Sequence, residues 1–120
     1  MPRTLLIKVL TGAEDPERTN QAFTVAAAAA AAGAEVHLWL AGEAAWFGLP
    51  GRAAEFSLEL ATPLPDLLDV VRSSGTVVVC SQCAARRGIV ADDLVEGVTI
   101  AGAAVFAEQA LGEGVQALVY

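Results

Sequence analysis

One stretch, Gly75 to Val90, constrains the fold more than any other; it reads GTVVVCSQCAARRGIV. Thr76 to Val79, three of them valine, follow a turn glycine and run straight into Cys80. A β-branched run without polar alternation predicts a short strand buried on both faces, as in parallel sheets covered by helices. Ser81 to Arg87 then suit a helix that stops at Gly88, because basic residues in a last turn followed by glycine make a helix stop. Cys80 falls where the strand hands over to the helix. In open α/β sheets chemistry sits at that edge, beyond the carboxyl ends of the strands. A helix start also offers free amides and partial positive charge, which favour a thiolate over a thiol.

The remaining chain alternates in the same way. Thr4 to Leu10 is an apolar strand pattern broken only by Lys8. Asp15-Pro16-Glu17 predicts a helix start, with Asp15 as cap and Pro16 at the first helical position. That helix should run to Ala32 and stop at Gly33, its alanines letting it lie close to a sheet. Glu35 to Leu40 is a second strand, Glu43 to Leu49 a short helix or loop, and Arg52 to Leu60 either a short strand or irregular chain. A helix from Pro63–Pro65 to Gly75 presents Leu67, Leu68, Val70 and Val71 as its apolar face. Asp92 or Asp93 caps a further helix, Val98 to Ile100 is extended, Gly102 to Leu111 is helical, and Val115 to Tyr120 closes the chain as a strand. Strictly alternating strands and helices predict a parallel sheet with helices on both faces.

At 120 residues this is a single domain. The net charge of −7 leaves no basic face for phosphates, which excludes nucleic acid and argues against an anionic membrane surface. Ala26 to Ala32 is far shorter than the roughly 20 apolar residues of a spanning helix. No targeting segment is visible, so the sequence reads as a cytoplasmic protein whose two cysteines are thiols rather than a structural disulfide. Hydrophobic residues make up 55% of the chain, above the roughly 45–50% usual in soluble domains, and the excess points to subunit contacts.

Cys80 and Cys83 form a CxxC and share a face at i and i+3 on a helix. Three functional readings fit: a thiol or persulfide carrier at Cys80, a dithiol pair, or half a metal site. Two small buried hydrophobes fit as well. With only His37 to join the cysteines, a four-ligand zinc site within one subunit is not available. His37, flanked by Val36 and Leu38, reads as a packed or edge histidine. Arg86 either lowers the cysteine pKa and attracts an anionic sulfur species or simply complements the helix end; Arg87 reads as a partner of Asp92 or Asp93. Trp46 and Phe47 line a pocket or an interface, or pack in the core. Glu43 at a strand end is a candidate acid or base, or an exposed carboxylate. The Thr11-Gly12 loop precedes a helix as a phosphate loop would, but it lacks GxGxxG and the P-loop lysine, and no cofactor is implied.

The pattern C-x5-R-R-G-[IV]-V, here CSQCAARRGIV, resembles the cysteine loop of the DsrE/DsrF-like sulfur-relay proteins, which include the TusD type. LLIKVLTGAEDPERTNQAFTVAAAAA resembles that family's N-terminal βα unit, and TIAGAAVFAEQALGEGVQALVY its closing helix and strand. The resemblance implies a three-layer α/β sandwich with a mostly parallel five-stranded sheet between helices, assembled as a trimer or hexamer. It places Cys80 at the position that accepts a persulfide sulfur from a donor protein and passes it to an acceptor. Cys83 departs from the TusD-type pattern and resembles a CxxC branch often labelled predicted peroxiredoxins. The Pro-x-x-x-Thr-x-x-Cys motif of true peroxiredoxins is missing. Thiol-persulfide relay at Cys80, with Cys83 and Arg86 in support and Gly12, Glu43 and Trp46 as a neighbouring pocket, is the leading expectation. A non-catalytic oligomeric interaction protein and a Cys80–Cys83 dithiol redox protein are the alternatives.

Overall fold

The computed structural model describes residues 3–120. Five strands, β1 (Thr4–Val9), β2 (Glu35–Leu40), β3 (Thr76–Cys80), β4 (Val98–Ala101) and β5 (Val115–Val119), form one sheet. Every neighbouring pair is parallel, and the spatial order is β4-β3-β2-β1-β5. Helices α1 (Pro16–Ala31), α2 (Arg52–Glu55), α3 (Leu64–Ser74), α4 (Ser81–Arg86) and α5 (Ala103–Ala110) lie in the connections, with 3₁₀ turns at Gly42–Gly48 and Ala91–Asp93.

The strand order decides where the helices go. From β1 to β4 each strand is laid down on the same side of the previous one, so right-handed crossovers put α1, α3 and α4 on one face. The last connection runs back across the sheet to β5, and the same handedness puts α5 on the other face. The buried side chains follow suit. Ile7, Val9, Val36, Leu38, Leu40, Val77 and Val79 meet Ala22, Phe23, Ala26, Leu67, Leu68 and Val71 in one large core. Leu6, Trp39 and Val78, pointing the opposite way, form a small second core against Phe106, Ala110 and Val115.

Helix α1 buries Thr19, Ala22, Phe23, Ala26 and Ala27, a stripe at i, i+3, i+4, i+7 and i+8. Asp15 does not cap it: the carboxylate pairs with Arg18 at 3.5 Å. The buried Thr19 hydroxyl ties down the entry instead, 2.8 Å from the Gly12 carbonyl and 2.9 Å from that of Asp15, and close to the Thr11 hydroxyl (2.7 Å). Because Thr19 spends its proton on a carbonyl, Thr11 is the donor in the hydroxyl pair.

Three other expectations are corrected. Arg52 to Leu60 is neither a strand nor wholly irregular: it begins with the single turn of α2, and Phe56 then stacks edge-on against Phe47 (5.9 Å). Asp92 and Asp93 start only a 3₁₀ turn, because the Val95 amide is drawn to the Gly48 carbonyl (2.8 Å) and the chain turns into β4. Val70 lies outside the buried face of α3, which is Leu64, Leu67, Leu68 and Val71. No helix among the described residues is long and apolar enough to cross a membrane.

Candidate functional site

The sheet rim at the carboxyl end of β3 holds the cysteine singled out from the sequence. Cys80 is the last residue of β3 and the N-cap of α4. It pairs in register with Ala101, so α5, whose N-cap is Gly102, starts beside it; a Cβ on Gly102 would stand 3.2 Å from the Ser81 hydroxyl. Pleat alternation turns Cys80 toward the side of Val78, but at the strand end its partly buried side chain also packs against the large core that holds Cys83. It is a free, partly exposed thiol.

Lys8, on β1, points to the thinly covered face, the side of Val78. Its ammonium rests 3.9 Å from the centroid of the Phe106 ring, a cation–π contact that fixes the charge without an acidic partner. Phe106 is in turn set edge-on against Trp39 at 5.3 Å, and the Trp39 indole donates to the Gln109 side chain (2.9 Å).

These surroundings act on the Cys80 sulfur in opposite directions. Burial pushes its pKa up. The Cys83 amide, the Cys83 thiol, the Gln82 amide and the Lys8 charge together outweigh burial and bring the thiol below its ordinary range. No formal cap hydrogen bond closes onto α4 from a side chain. The two amides still face the sulfur closely enough to favour its anion.

Cys83 is different. It is 8% exposed and belongs to the large core. Its sulfur accepts a hydrogen bond from the Gly42 amide at 3.1 Å. Gly42 has φ +50°, and a Cβ there would collide with the Leu10 carbonyl oxygen, so only glycine fits.

The two arginines have other partners than those considered from sequence. Arg86 reaches only the Gln82 side chain, at 3.5 Å, on the surface. Arg87 does not pair with Asp92 or Asp93; it folds back 44 residues along the chain onto the Glu43 carboxylate (2.8 and 3.0 Å) and also donates to the Cys83 carbonyl (3.1 Å). That guanidinium is the main reason the Glu43 carboxyl is held below its usual range, with further help from the Trp46 indole. Gly12 packs against Glu43, where an added Cβ would meet its Cβ and carbonyl oxygen at 3.1 Å.

Glu43, Trp46 and Phe47 line a cleft of about 190 Å³ with Ala13, Arg52 and Phe56. Gly12 stands behind its wall rather than in it. The Arg52 guanidinium lies over the Trp46 ring at 4.5 Å. His37 is on the same sheet face as Cys80 but near the opposite rim, between the Thr76 hydroxyl (2.7 Å) and the Glu35 carboxylate (3.3 Å). Among the described residues no three His, Cys, Asp or Glu side chains are grouped as a metal site.

Lys8 and Gly42 are the residues around the candidate site that sequence reasoning missed, and Arg87 was named with the wrong partner. Lys8 carried a signal, as the single charge in the TLLIKV strand. Gly42 and the Glu43 partner of Arg87 enter through contacts that local sequence does not encode.

A parallel, doubly covered sheet with a cysteine at the rim of its third strand defines a small α/β thiol protein. The family model of the DsrE/DsrF-like family matches residues 4–118, and the chain belongs to that family. Two solved structures share the fold over the full length of both chains. The ychN protein from E. coli is 20% identical with a TM-score of 0.80. MTH1491 from Methanobacterium thermoautotrophicum, described as a protein of unknown function, is 16% identical with a TM-score of 0.70. No curated protein sequence is significantly similar to the chain.

Proposed function

We propose that this protein is a cytoplasmic sulfur carrier: Cys80 takes a sulfane sulfur from a donor persulfide and hands it to the thiol of an acceptor protein. The Cys80 thiolate attacks the outer sulfur of the donor, the donor thiolate leaves, and Cys80 holds the persulfide until an acceptor thiolate repeats the exchange. The observation that carries this reading is the thiol itself, partly open to solvent and lowered in pKa by the amides of Gln82 and Cys83, the Cys83 thiol and Lys8. A persulfide is more acidic than its parent thiol, so the same surroundings would hold the loaded form as an anion.

The carrier works as a homo-oligomer, a trimer or hexamer. What supports this is α5, which has no fully buried residue although Ala103, Ala104, Val105 and Ala107 are apolar, together with the exposed Leu118 and Val119 of β5. Exposed apolar surface of that extent, rimmed by polar residues, marks subunit contacts.

Incubation with glutathione persulfide followed by intact-mass analysis tests the chemistry. The expected result is a gain of about 32 Da, one sulfur, on Cys80, removed by excess thiol and lost in Cys80→Ser. A chain that gains no sulfur at Cys80 overturns the proposal.

A further inference from the structure

Resting on the carrier reading, we infer that Cys83 is a resolving thiol, which discharges the persulfide on Cys80 as hydrosulfide and leaves a Cys80–Cys83 disulfide. The site then has two outlets: sulfur goes to an acceptor when one is docked, and to free sulfide when none is.

The arrangement of the two thiols carries the inference. Cys83 is buried, so no donor or acceptor protein reaches it directly. It is nevertheless not an inert hydrophobe, because its sulfur accepts from the Gly42 amide at 3.1 Å. That donor is held by a left-handed conformation which the nearby Leu10 carbonyl restricts to glycine. Cys80 packs against the cluster that contains Cys83, and as the N-cap of α4 it stands three residues before it, with the Cys83 thiol among the groups that lower the Cys80 pKa. One turn of helix separates the pair; side chains so spaced have Cβ atoms ~5–6 Å apart, an adjustment of about 1–2 Å from disulfide geometry. Cys83 is thus the buried member of the pair and Cys80 the partly exposed one, the order a carrier thiol and its resolving partner require.

The step balances. Cys83 gives up its proton and its sulfur attacks the inner, Cys80 sulfur of the persulfide. A Cys83–Cys80 bond forms and the bond to the outer sulfur breaks. The outer sulfur leaves with the electron pair, takes the proton and departs as hydrosulfide. The sulfane sulfur is reduced and two thiols are oxidised to one disulfide. A dithiol reductant must reopen it before the next cycle.

The test follows the adduct once it has formed, whatever the rate of loading. The wild-type chain is loaded with glutathione persulfide, desalted and incubated without acceptor. The adduct should decay to a species about 2 Da lighter than the reduced chain, releasing one sulfide per disulfide, and dithiothreitol should restore both thiols. In Cys83→Ser the adduct should persist at least about tenfold longer, with no lighter species formed. Cys83→Ala provides the same comparison should the serine variant fold poorly. Equal adduct lifetimes in wild type and variants, or sulfide released without loss of two thiols, overturn this inference and leave the carrier intact. If no chain acquires sulfur although iodoacetamide still alkylates Cys80, both readings fall.

Discussion

The two faces of the sheet are built to different standards. One carries α1, α3 and α4 over a continuous core in which Phe23, Leu38, Leu40 and Val79 are fully buried. The other is crossed by α5 alone, and its buried core is Leu6, Trp39 and Val78. The covered face holds the fold together. The open face carries Lys8 and the exposed side of α5, with the partly exposed Cys80 thiol at its rim. One crossover of reversed direction produces the contrast, since it sends a single short helix to the open face.

Truncating an aromatic on each face is the strongest way to break the comparison. Phe23→Ala, which empties the covered core beside Phe47, should cost about 3–5 kcal/mol in urea unfolding. Phe106→Ala, on half-exposed α5, should cost less than about 2 kcal/mol. Equal losses would show that the faces contribute alike. Next comes Val119→Asp, which places a charge in the exposed strip of β5. Sedimentation should show subunit affinity falling by at least about tenfold, while the unfolding free energy of the dissociated chain changes by no more than about 0.5 kcal/mol.

Charge offers a finer contrast. On the covered side, Arg87→Gln removes the main partner of Glu43. Glu43 has a lowered folded pKa, so its pairing stabilises the protein above the ordinary carboxylate range and is lost as pH falls through the folded value. The variant should therefore lose about 0.5–1 kcal/mol at pH 7, a figure limited by the half-exposure of Glu43, and almost nothing in acid. Unfolding curves at the two pH values read the difference. On the open side, Lys8→Met should raise the pH at which Cys80 alkylation by iodoacetamide reaches half its limiting rate. Alkylation near neutral pH should slow roughly threefold, with Lys8→Arg largely restoring it. An unchanged pH profile in Lys8→Met would remove the lysine from the site.

The contrast also separates what the sequence could announce from what it could not. The β3–α4 junction was legible because everything that makes it, the valine run, Cys80 and the Arg-Arg-Gly stop, lies within one short stretch. The long alanine helix was legible for the same reason, and the alternation of strands and helices announced a parallel sheet without its strand order. The contacts of Cys83 and Arg87 were not: Gly42 is 41 residues from Cys83 and Glu43 is 44 from Arg87. Periodicity says nothing about which loops meet above a sheet. Arg86 drew attention through charge and proximity, yet its side chain points along the helix surface to Gln82. Arg52 to Leu60 misled because sparse apolar spacing gave no period, and the Phe47–Phe56 contact that organises it is tertiary. The apolar excess did register in the composition, and part of it surfaces on α5 and β5.

Strand β5 has a consequence for how the molecule is completed. It lies beside β1, pairing Thr4 with Val115, so this interior strand waits through more than a hundred residues of chain for its second neighbour. Until then one edge of β1 has no ladder, and closing so long an interval is entropically the most expensive step in assembling the sheet. The α5–β5 unit, held by few buried side chains, should accordingly be the last piece to dock and the first to peel away. Amide exchange should find it the least protected segment of the sheet in the dissociated chain, and subunit association should slow its opening.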